Sequence, residues 1–300
     1  MNTYNVSCVI VTHNRLELLQ ECIQHLQAQT YQLSHIVIVD NDSDQPTKQY
    51  LESIKSSQII VYTSTQNLGG AGGFEIGLKE AFNQTNDNYF WILDDDTIPT
   101  ETALEEFVKA SSAIHQQFGF LCSDVRWTNS DSCNVPVPVN DWNEQIANGL
   151  IGVKQATFVS ILVSRTAIEA VGFPIGSMFI WGDDTEYTRR LSRYQSSYYV
   201  IKSVVVHKTV ANVSTVNIFN DTPARINRYF YLYRNVFFIS KKYDGKLKTF
   251  KLFLHDVCDL IEIPFKAKNY RFKRFMTTFK GIISGITYNP KADLPNKPSK

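Results

Sequence analysis

Asp94, Asp95 and Asp96 follow five apolar or aromatic residues, Tyr89–Leu93, without a break. Three adjacent carboxylates repel one another. A divalent cation would give a fold reason to gather them; a solvated acidic turn is the bland alternative. In extended chain, residues two apart point the same way, so Asp94 and Asp96 would face one ion while Asp95 points elsewhere. Hard carboxylate oxygens suit Mg²⁺ or Mn²⁺.

Three further clusters could join that chemistry. Gly69, Gly70, Gly72 and Gly73 crowd the stretch Asn67–Gly73. Such a turn lets backbone approach a phosphate or a sugar, or lets a helix pack closely. A dinucleotide fingerprint read from Gly70 would need glycine at 75, where Glu75 stands, so a dehydrogenase is disfavoured. Asp183, Asp184 and Glu186 sit at the expected start of a helix. Acids there serve as caps and complement the helix dipole. Asp184 could instead be a general base for an acceptor hydroxyl. His207 ends the apolar run Val204–Val206, either as a structural histidine or as an imidazole ligand.

These groups need elements to position them. Val6–Thr12, Ile36–Val39, Ile59–Thr63 and Tyr89–Leu93 read as strands, because they are short, apolar and β-branched or aromatic. Between them, Leu16–Gln29, Gln45–Ser53 and Phe74–Phe82 read as helices, and Glu101–Ile114 follows Pro99. Thr12-His13-Asn14 offers capping side chains for the first helix. Strands alternating with helices predict an α/β fold with a mostly parallel sheet. Ligands of such sheets bind at the carboxyl ends of the strands. Thr12–Arg15, Asp40–Asp44, Asn67–Gly73 and Asp94–Asp96 all fall at such ends, so one active site is expected. Further on, Phe120–Cys122, Thr157–Ser164 and Tyr198–Val206 read as strands. Arg165–Val171, a segment running from Phe179 to Arg193, and Asn227–Tyr243 read as helices. Asn129–Gly152 is expected to be a long loop.

The 300 residues suffice for one large or two modest domains. Formal net charge is +1. It divides into +9 over residues 241–300 and −8 over residues 1–240. Five scattered cysteines support neither a zinc site nor a disulfide framework, which fits a reducing cytoplasm. Met1–Asn5 is polar, and no apolar run reaches transmembrane length, so neither a leader nor a span is expected.

The motifs VIVTHNR (ending at Arg15), IVIVDNDSD (36–44), NLGGAGGF (67–74), WILDDDTIP (91–99) and FIWGDDTEYTRRL (179–191), in this order, resemble inverting glycosyltransferases of family 2, of GT-A fold. The resemblance covers roughly residues 6–210. It implies Asp94 and Asp96 as metal ligands with His207 as the third. Thr12, Asn14, Arg15, Asp40, Asn41 and Asp95 would line the nucleotide pocket. Asn67, Gly69 and Gly70 would lie near the donor, and Asp184 would be the base. The doubled glycines, triple Asp and D-D-x-E helix start look most like bacterial galactofuranosyltransferases. The rhamnosyltransferase branch is close, but Glu75 departs from its pattern.

By that resemblance the donor is UDP-galactofuranose, or alternatively dTDP-rhamnose, with Mn²⁺ or Mg²⁺ as cofactor. The acceptor would be a hydroxyl on a growing cell-surface glycan, carried on a polyprenyl lipid. A single displacement would invert the anomeric centre. A non-catalytic nucleotide-sugar-binding or scaffold protein and a nucleotidyltransferase are the competing classes. The expected organisation is a catalytic domain over 1–220, with donor half 1–115 and acceptor half 116–220, and a basic helical region over 221–300. Phe272, Phe275, Met276, Phe279, Ile282, Ile283 and Ile286 repeat at helical spacing, with Arg271, Lys273, Arg274 and Lys280 between them. That helix would lie on an anionic membrane, at the inner face of a bacterial membrane, or pack on the protein or in a homo-oligomer. Nucleic-acid binding is not expected.

Overall fold

A computed structural model describes residues 4–209 and 217–295. One mixed sheet of ten strands runs through the protein. Its first four long strands are β1 (Val6–Thr12), β2 (His35–Asp40), β3 (Ile59–Thr63) and β4 (Tyr89–Asp94), which form the parallel block β3-β2-β1-β4. The apolar runs of β1, β2 and β4 are buried on both faces, as parallel strands under helices must be, while the edge strand β3 is half-buried. The order continues through β9 (Ser160–Ser164), β6 (Leu121–Trp127), β10 (Ser197–His207), β8 (Leu150–Gln155) and β7 (Val137–Pro138). Three serine hydroxyls, Ser123, Ser160 and Ser203, link β6, β9 and β10 through buried bonds of 2.6 and 2.8 Å.

The short strand β5 (Thr97–Pro99) pairs antiparallel with β10, opposing His207 to Thr97. Sequence patterning does not reveal β5, because three residues carry no period.

Helices cover both faces. α1 (Leu16–Gln27), α2 (Gln45–Ile54) and α4 (Ala103–Ala113) lie on one side. α1 buries Leu19, Cys22, Ile23 and Leu26, one stripe at the helical period. α3 (Gly69–Gln84), α5 (Arg165–Val171) and α6 (Asp183–Tyr194) lie on the other. Buried side chains such as Phe90 and Ile10 stabilise this core by roughly 1.5–3 kcal/mol each.

Several local expectations are corrected. The cap of α1 is Arg15, with no side-chain cap bond, and Asn14 Oδ1 instead accepts from Asp44 N–H at 2.6 Å. In the Asp40–Asp44 cluster, Asp44 caps α2 by accepting from Thr47 N–H. The glycines form no free turn: α3 begins at Gly69 and takes in all four. A Cβ on Gly73 would lie 2.4 Å from Val11, and one on Gly77 2.7 Å from Val9. The glycines therefore bring α3 down onto β1. The loop over 129–152 contains β7 and the start of β8.

The chain ends in α7 (Arg228–Tyr243), α8 (Lys246–Lys266) and α9 (Arg271–Thr287). α9 packs through only part of its apolar stripe, at Ile282 and Phe275. Its buried residues are Arg274, Thr278, Gly281, Ile282 and Gly285, and all but Ile282 lie outside that stripe. Small residues win this contact because a Cβ on Gly281 would meet the Phe230 carbonyl at 2.8 Å. Arg274, fully buried, donates to the carbonyls of Ile218, Asp221 and Asn269 and so fastens α9 to 218–221. Phe272, Phe279, Ile283 and Ile286 stay exposed.

Candidate active site

A cleft of about 1410 Å³ opens at the carboxyl ends of β1 and β4 and runs on toward α7 and α8. Thr12, Arg15, Asn41, Asn67, Gly69, Gly70, Asp94, Asp95, Asp96, Asp184 and His207 all line it. Asn14 and Asp40 do not. Asn14 is exposed and holds the loop at Asp44. Asp40 is fully buried; its Oδ1 accepts from Ser43 N–H at 2.8 Å, and its Oδ2 has no hydrogen-bond partner among the described residues.

The acidic triplet divides as its alternation suggests, for a different backbone reason. β4 stops at Asp94, and Asp95–Asp96 form a turn into β5. Asp95 faces β1: Thr12 Oγ1 donates to its Oδ2 at 2.8 Å and Arg15 to its Oδ1 at 3.1 Å. Asp94, Asp96 and His207 converge, with one ligand atom of each within 4.8 Å of the others. Pairing of β5 with β10 brings His207 to this point, and Lys208 N–H donates to the Asp96 carbonyl at 2.8 Å.

His207 Nε2 lies 3.1 Å from Asp96 Oδ1. That oxygen is buried and receives no aligned hydrogen bond. On the other side of the ring, Nδ1 lies 3.0 Å from Asn134 Oδ1. An amide oxygen only accepts, so Nδ1 donates to it, and Nε2 is the ring nitrogen that faces the carboxylates. This is the outer-shell arrangement that orients metal-binding histidines. Two carboxylates, one imidazole and an orphaned buried oxygen fit Mn²⁺ or Mg²⁺.

Electrostatics reflect the crowding of negative charge. Burial, then Asp96, push Asp94 up to about 7. Burial pushes Asp95 up to about 6 against the opposing pull of Arg15. Burial also raises Asp96, but His207 and Arg15 more than offset it and hold it below its ordinary value. His207 is lowered by burial, yet Asp96 and Asp94 outweigh that and raise it.

The far wall of the cleft comes from Phe179–Thr185 and the start of α6. Gly182, at φ 96°, is the cap, so Asp183 and Asp184 fall in the first turn. Burial raises both carboxyls. Asp183 also feels Asp94, whereas Asp184 Oδ1 accepts from Thr185 N–H at 2.6 Å. Glu186 is structural: its carboxylate meets Arg190, Lys242 and Tyr243 at 2.8–2.9 Å and ties α6 to α7.

Gly69 joins the two walls. Its φ is 72°, and a Cβ there would stand 2.1 Å from the Phe179 carbonyl. That same carbonyl accepts from Ala71 N–H at 3.1 Å. Asn41 braces the site, donating to the Gly69 carbonyl at 2.9 Å and accepting from Leu68 N–H at 2.9 Å.

Sequence reasoning missed His13, Asn134, Trp181 and the cleft-facing side of α8. Asn134 lay within the loop singled out for its composition, but nothing local marks it as a partner of His207. Trp181 carried a signal, an aromatic beside two acids.

Comparison with known proteins follows the geometry. Residues 7–119 match the family model described as Glycosyl transferase family 2. Galactofuranosyltransferase GlfT1 of Mycolicibacterium smegmatis is 27% identical over 219 residues, 64% of this chain and 67% of that protein. Galactofuranosyltransferase GlfT1 of Mycobacterium tuberculosis is 28% identical over 209 residues, 64% of this chain and 66% of that protein. The matched regions thus span about two thirds of these relatives. S. aureus TarS superimposes with a TM-score of 0.58 at 12% identity, over 95% of this chain and 44% of that one. GalNAc-T7, solved with UDP, GalNAc and Mn²⁺, gives a TM-score of 0.57 at 13% identity, over 78% of this chain and 48% of that one. At these identities the structures speak for the fold, which is GT-A.

Proposed function

Taking as premise that residues 7–119 form a Glycosyl transferase family 2 domain, we propose that the protein transfers galactofuranose from UDP-galactofuranose to a glycan hydroxyl. The observation that carries the reading is the convergence of Asp94, Asp96 and His207 at the mouth of the parallel strands, with the imidazole oriented by Asn134. The likeness to galactofuranosyltransferases favours that donor over dTDP-rhamnose. A glycan carried on a polyprenyl lipid is the proposed acceptor.

Asp94, Asp96 and His207 would hold Mn²⁺ or Mg²⁺, and GalNAc-T7, which shares the fold, was solved with UDP and Mn²⁺. The ion would supply Lewis-acid neutralisation of the departing diphosphate. Arg15 adds a guanidinium on the same side, positioned by Asp95 and Asp96 at 3.1 and 2.7 Å. Asn41 and Gly69 shape the wall that receives the nucleotide, and Gly70, where a Cβ would meet nothing within 4 Å, leaves that wall open. Across the cleft, Asp184 accepts the proton of the acceptor hydroxyl. The hydroxyl oxygen bonds to the anomeric carbon as the bond to the diphosphate breaks, which inverts that centre. Raised carboxyl affinity for protons suits a general base.

We place the boundary of the catalytic domain near residue 220. α8 and α9 each keep an apolar stripe in solvent: Leu247, Phe250, Leu254, Ile261 and Phe265 on one, Phe272, Phe279, Ile283 and Ile286 on the other. Lysines 246, 251, 266, 273 and 280 stand among them. Apolar stripes flanked by cations suit an anionic membrane surface, where a lipid-linked acceptor would be met. No helix among the described residues is long and apolar enough to cross a membrane.

The test is incubation with UDP-galactofuranose, Mn²⁺ and a lipid-linked acceptor. Release of UDP with extension of the glycan is expected. Release of pyrophosphate instead would point to nucleotidyl transfer, and binding without release to a non-catalytic protein.

A further inference from the structure

The cleft does not stop at the donor side. Beyond Asp184 and Trp181 it continues between the catalytic sheet and helices α7 and α8. Lys248, Leu252, His255 and Asp259 of α8 line this arm at i, i+4, i+7 and i+11, one face of the helix. Exposed apolar residues occupy another side of the same helix. A cleft-facing polar side is therefore a separate feature that packing does not require.

Within the arm, Asp256 is 7% exposed at its side chain and lines the cleft. Among the described residues no aligned hydrogen bond reaches its carboxylate. Its ionic neighbour is His255 Nδ1, 3.5 Å away on a side chain that is itself 70% exposed. Burial pushes Asp256 up to about 6, with His255 opposing. A buried carboxylate that opens on a cleft with no aligned hydrogen bond is costly unless a ligand supplies one. Asp259 lies beside it and is oriented by Tyr233 Oη, which donates at 2.9 Å.

Trp181 stands where the arm meets the donor side. Its φ of 61° is a strained conformation for a bulky residue. Asn235 maintains it, donating through Nδ2 to the carbonyls of Met178, Ile180 and Trp181 at 2.8–3.1 Å. Tyr229 packs edge-on against the indole at 5.2 Å. The indole is thereby held at the cleft wall, with the Arg225 guanidinium 5.6 Å from its ring centroid.

We propose that this arm is the acceptor subsite, where Asp256 and Asp259 accept hydrogen bonds from the hydroxyls of an acceptor sugar ring and Trp181 carries its apolar face. The assignment rests on the glycosyl-transfer reading and adds to it where the acceptor lies. Sugars offer groups that suit these residues: hydroxyl donors on one edge for the two carboxylates, and C–H groups that pack on an aromatic ring.

The experiment uses the full chain, UDP-galactofuranose as donor in the kinetics, UDP alone in calorimetry, and a synthetic octyl galactofuranosyl disaccharide as acceptor probe. Asp256→Asn should raise the acceptor KM by roughly tenfold or more, the loss of a charged hydrogen-bond acceptor, with kcat little changed. Leu252→Trp, which fills the arm from a half-exposed position, should do the same. Calorimetric affinity for UDP should stay within about twofold in both, which also reports that they fold. An unchanged acceptor KM in both variants overturns the subsite. So does Mn²⁺ binding to a His207→Ala protein that Asp256→Asn removes, since His255, Asp256 and Asp259, whose ligand atoms lie within 4.8 Å of one another, would then be a cation site. Disaccharide binding by NMR is read in parallel. If the wild type turns over no donor yet binds the disaccharide in a way that Leu252→Trp abolishes, the arm stands and the transfer reading fails. If the wild type neither turns over donor nor binds the disaccharide, the arm falls too.

Discussion

His207 Nε2 and Asp96 Oδ1 lie 3.1 Å apart, at the end of an antiparallel pairing that sets His207 opposite Thr97. Residues separated by more than 100 positions in the chain are thereby fixed as neighbours by three residues of strand. The first prediction concerns the group behind the imidazole. Asn134→Ala should weaken Mn²⁺ binding by roughly 10- to 100-fold, as loss of an outer-shell partner does. His207→Ala should weaken it further. Titration of Mn²⁺ by calorimetry checks both, and equal affinity in Asn134→Ala and wild type would remove Asn134 from the site.

Chelation should abolish UDP release, and added Mn²⁺ or Mg²⁺ should restore it. Arg15 already pairs with Asp95 and Asp96, so the stripped protein should stay folded. Thermal melting with and without EDTA separates loss of activity from loss of structure. Full turnover in excess chelator would contradict the metal assignment.

Asp184→Asn should lower kcat by roughly 100-fold or more while UDP affinity is kept, because a general base acts on the transfer step alone. Asp183 is the control. It shares the first turn of α6 and feels Asp94, so Asp183→Asn should chiefly alter metal or donor affinity. The reverse pattern would exchange the two roles.

Gly69→Ala should destabilise the protein by about 2 kcal/mol or more. The new methyl meets the Phe179 carbonyl at 2.1 Å, and its φ of 72° is strained for any side chain. Gly70→Ala is the matched comparison, since nothing lies within 4 Å of a Cβ there. Urea denaturation of the pair should differ clearly; similar midpoints would refute the close approach.

Glu186 offers a pH test. Burial raises its pKa, but Arg190 and Lys242 outweigh that and depress it below the ordinary 4.5. A depressed carboxylate contributes stability that is full above its unfolded pKa and is lost as pH falls through the folded one. Wild type should therefore exceed Glu186→Gln in stability by an amount on the order of 3 kcal/mol at pH 7. The gap should narrow below about pH 4.5. Melting curves from pH 7 to 3 measure it, and a constant gap would mean that shape, not charge, explains Glu186.

At the surface, Phe265 and Phe272 are 79% and 78% exposed. Replacing both with serine should cut binding to vesicles containing phosphatidylglycerol by roughly tenfold or more and leave the melting temperature nearly unchanged. Undiminished vesicle binding would argue against these stripes as the contact.

Much of the fold was legible because its signals are local. β1 and β3 match their expected bounds, as does α5, since buried β-branched runs and a short capped helix announce themselves. The glycine-rich segment was harder. Its composition says turn, yet Gly73 and Gly77 serve contacts with Val11 and Val9 that only the packed sheet supplies. The apolar stripe of α9 misled in the opposite way. Periodicity identifies a helix and its apolar side, but Gly281 and Gly285 offered a close fit to α7, and Arg274 fastened the helix to 218–221.

By itself, the sequence determined the alternating α/β plan, the strand ends that carry polar groups, and the residue types that could hold a cation. Those follow from period and composition within a dozen residues. Tertiary structure decided which of those groups meet. It joined His207 to Asp96 through β5, turned Asn134 toward the imidazole, and sent Asn14 and Asp40 away from the cleft. It also folded α8 back so that Asp256 faces the cleft from the opposite side. Such meetings depend on strand register and helix packing across the whole chain, and no local spacing encodes them.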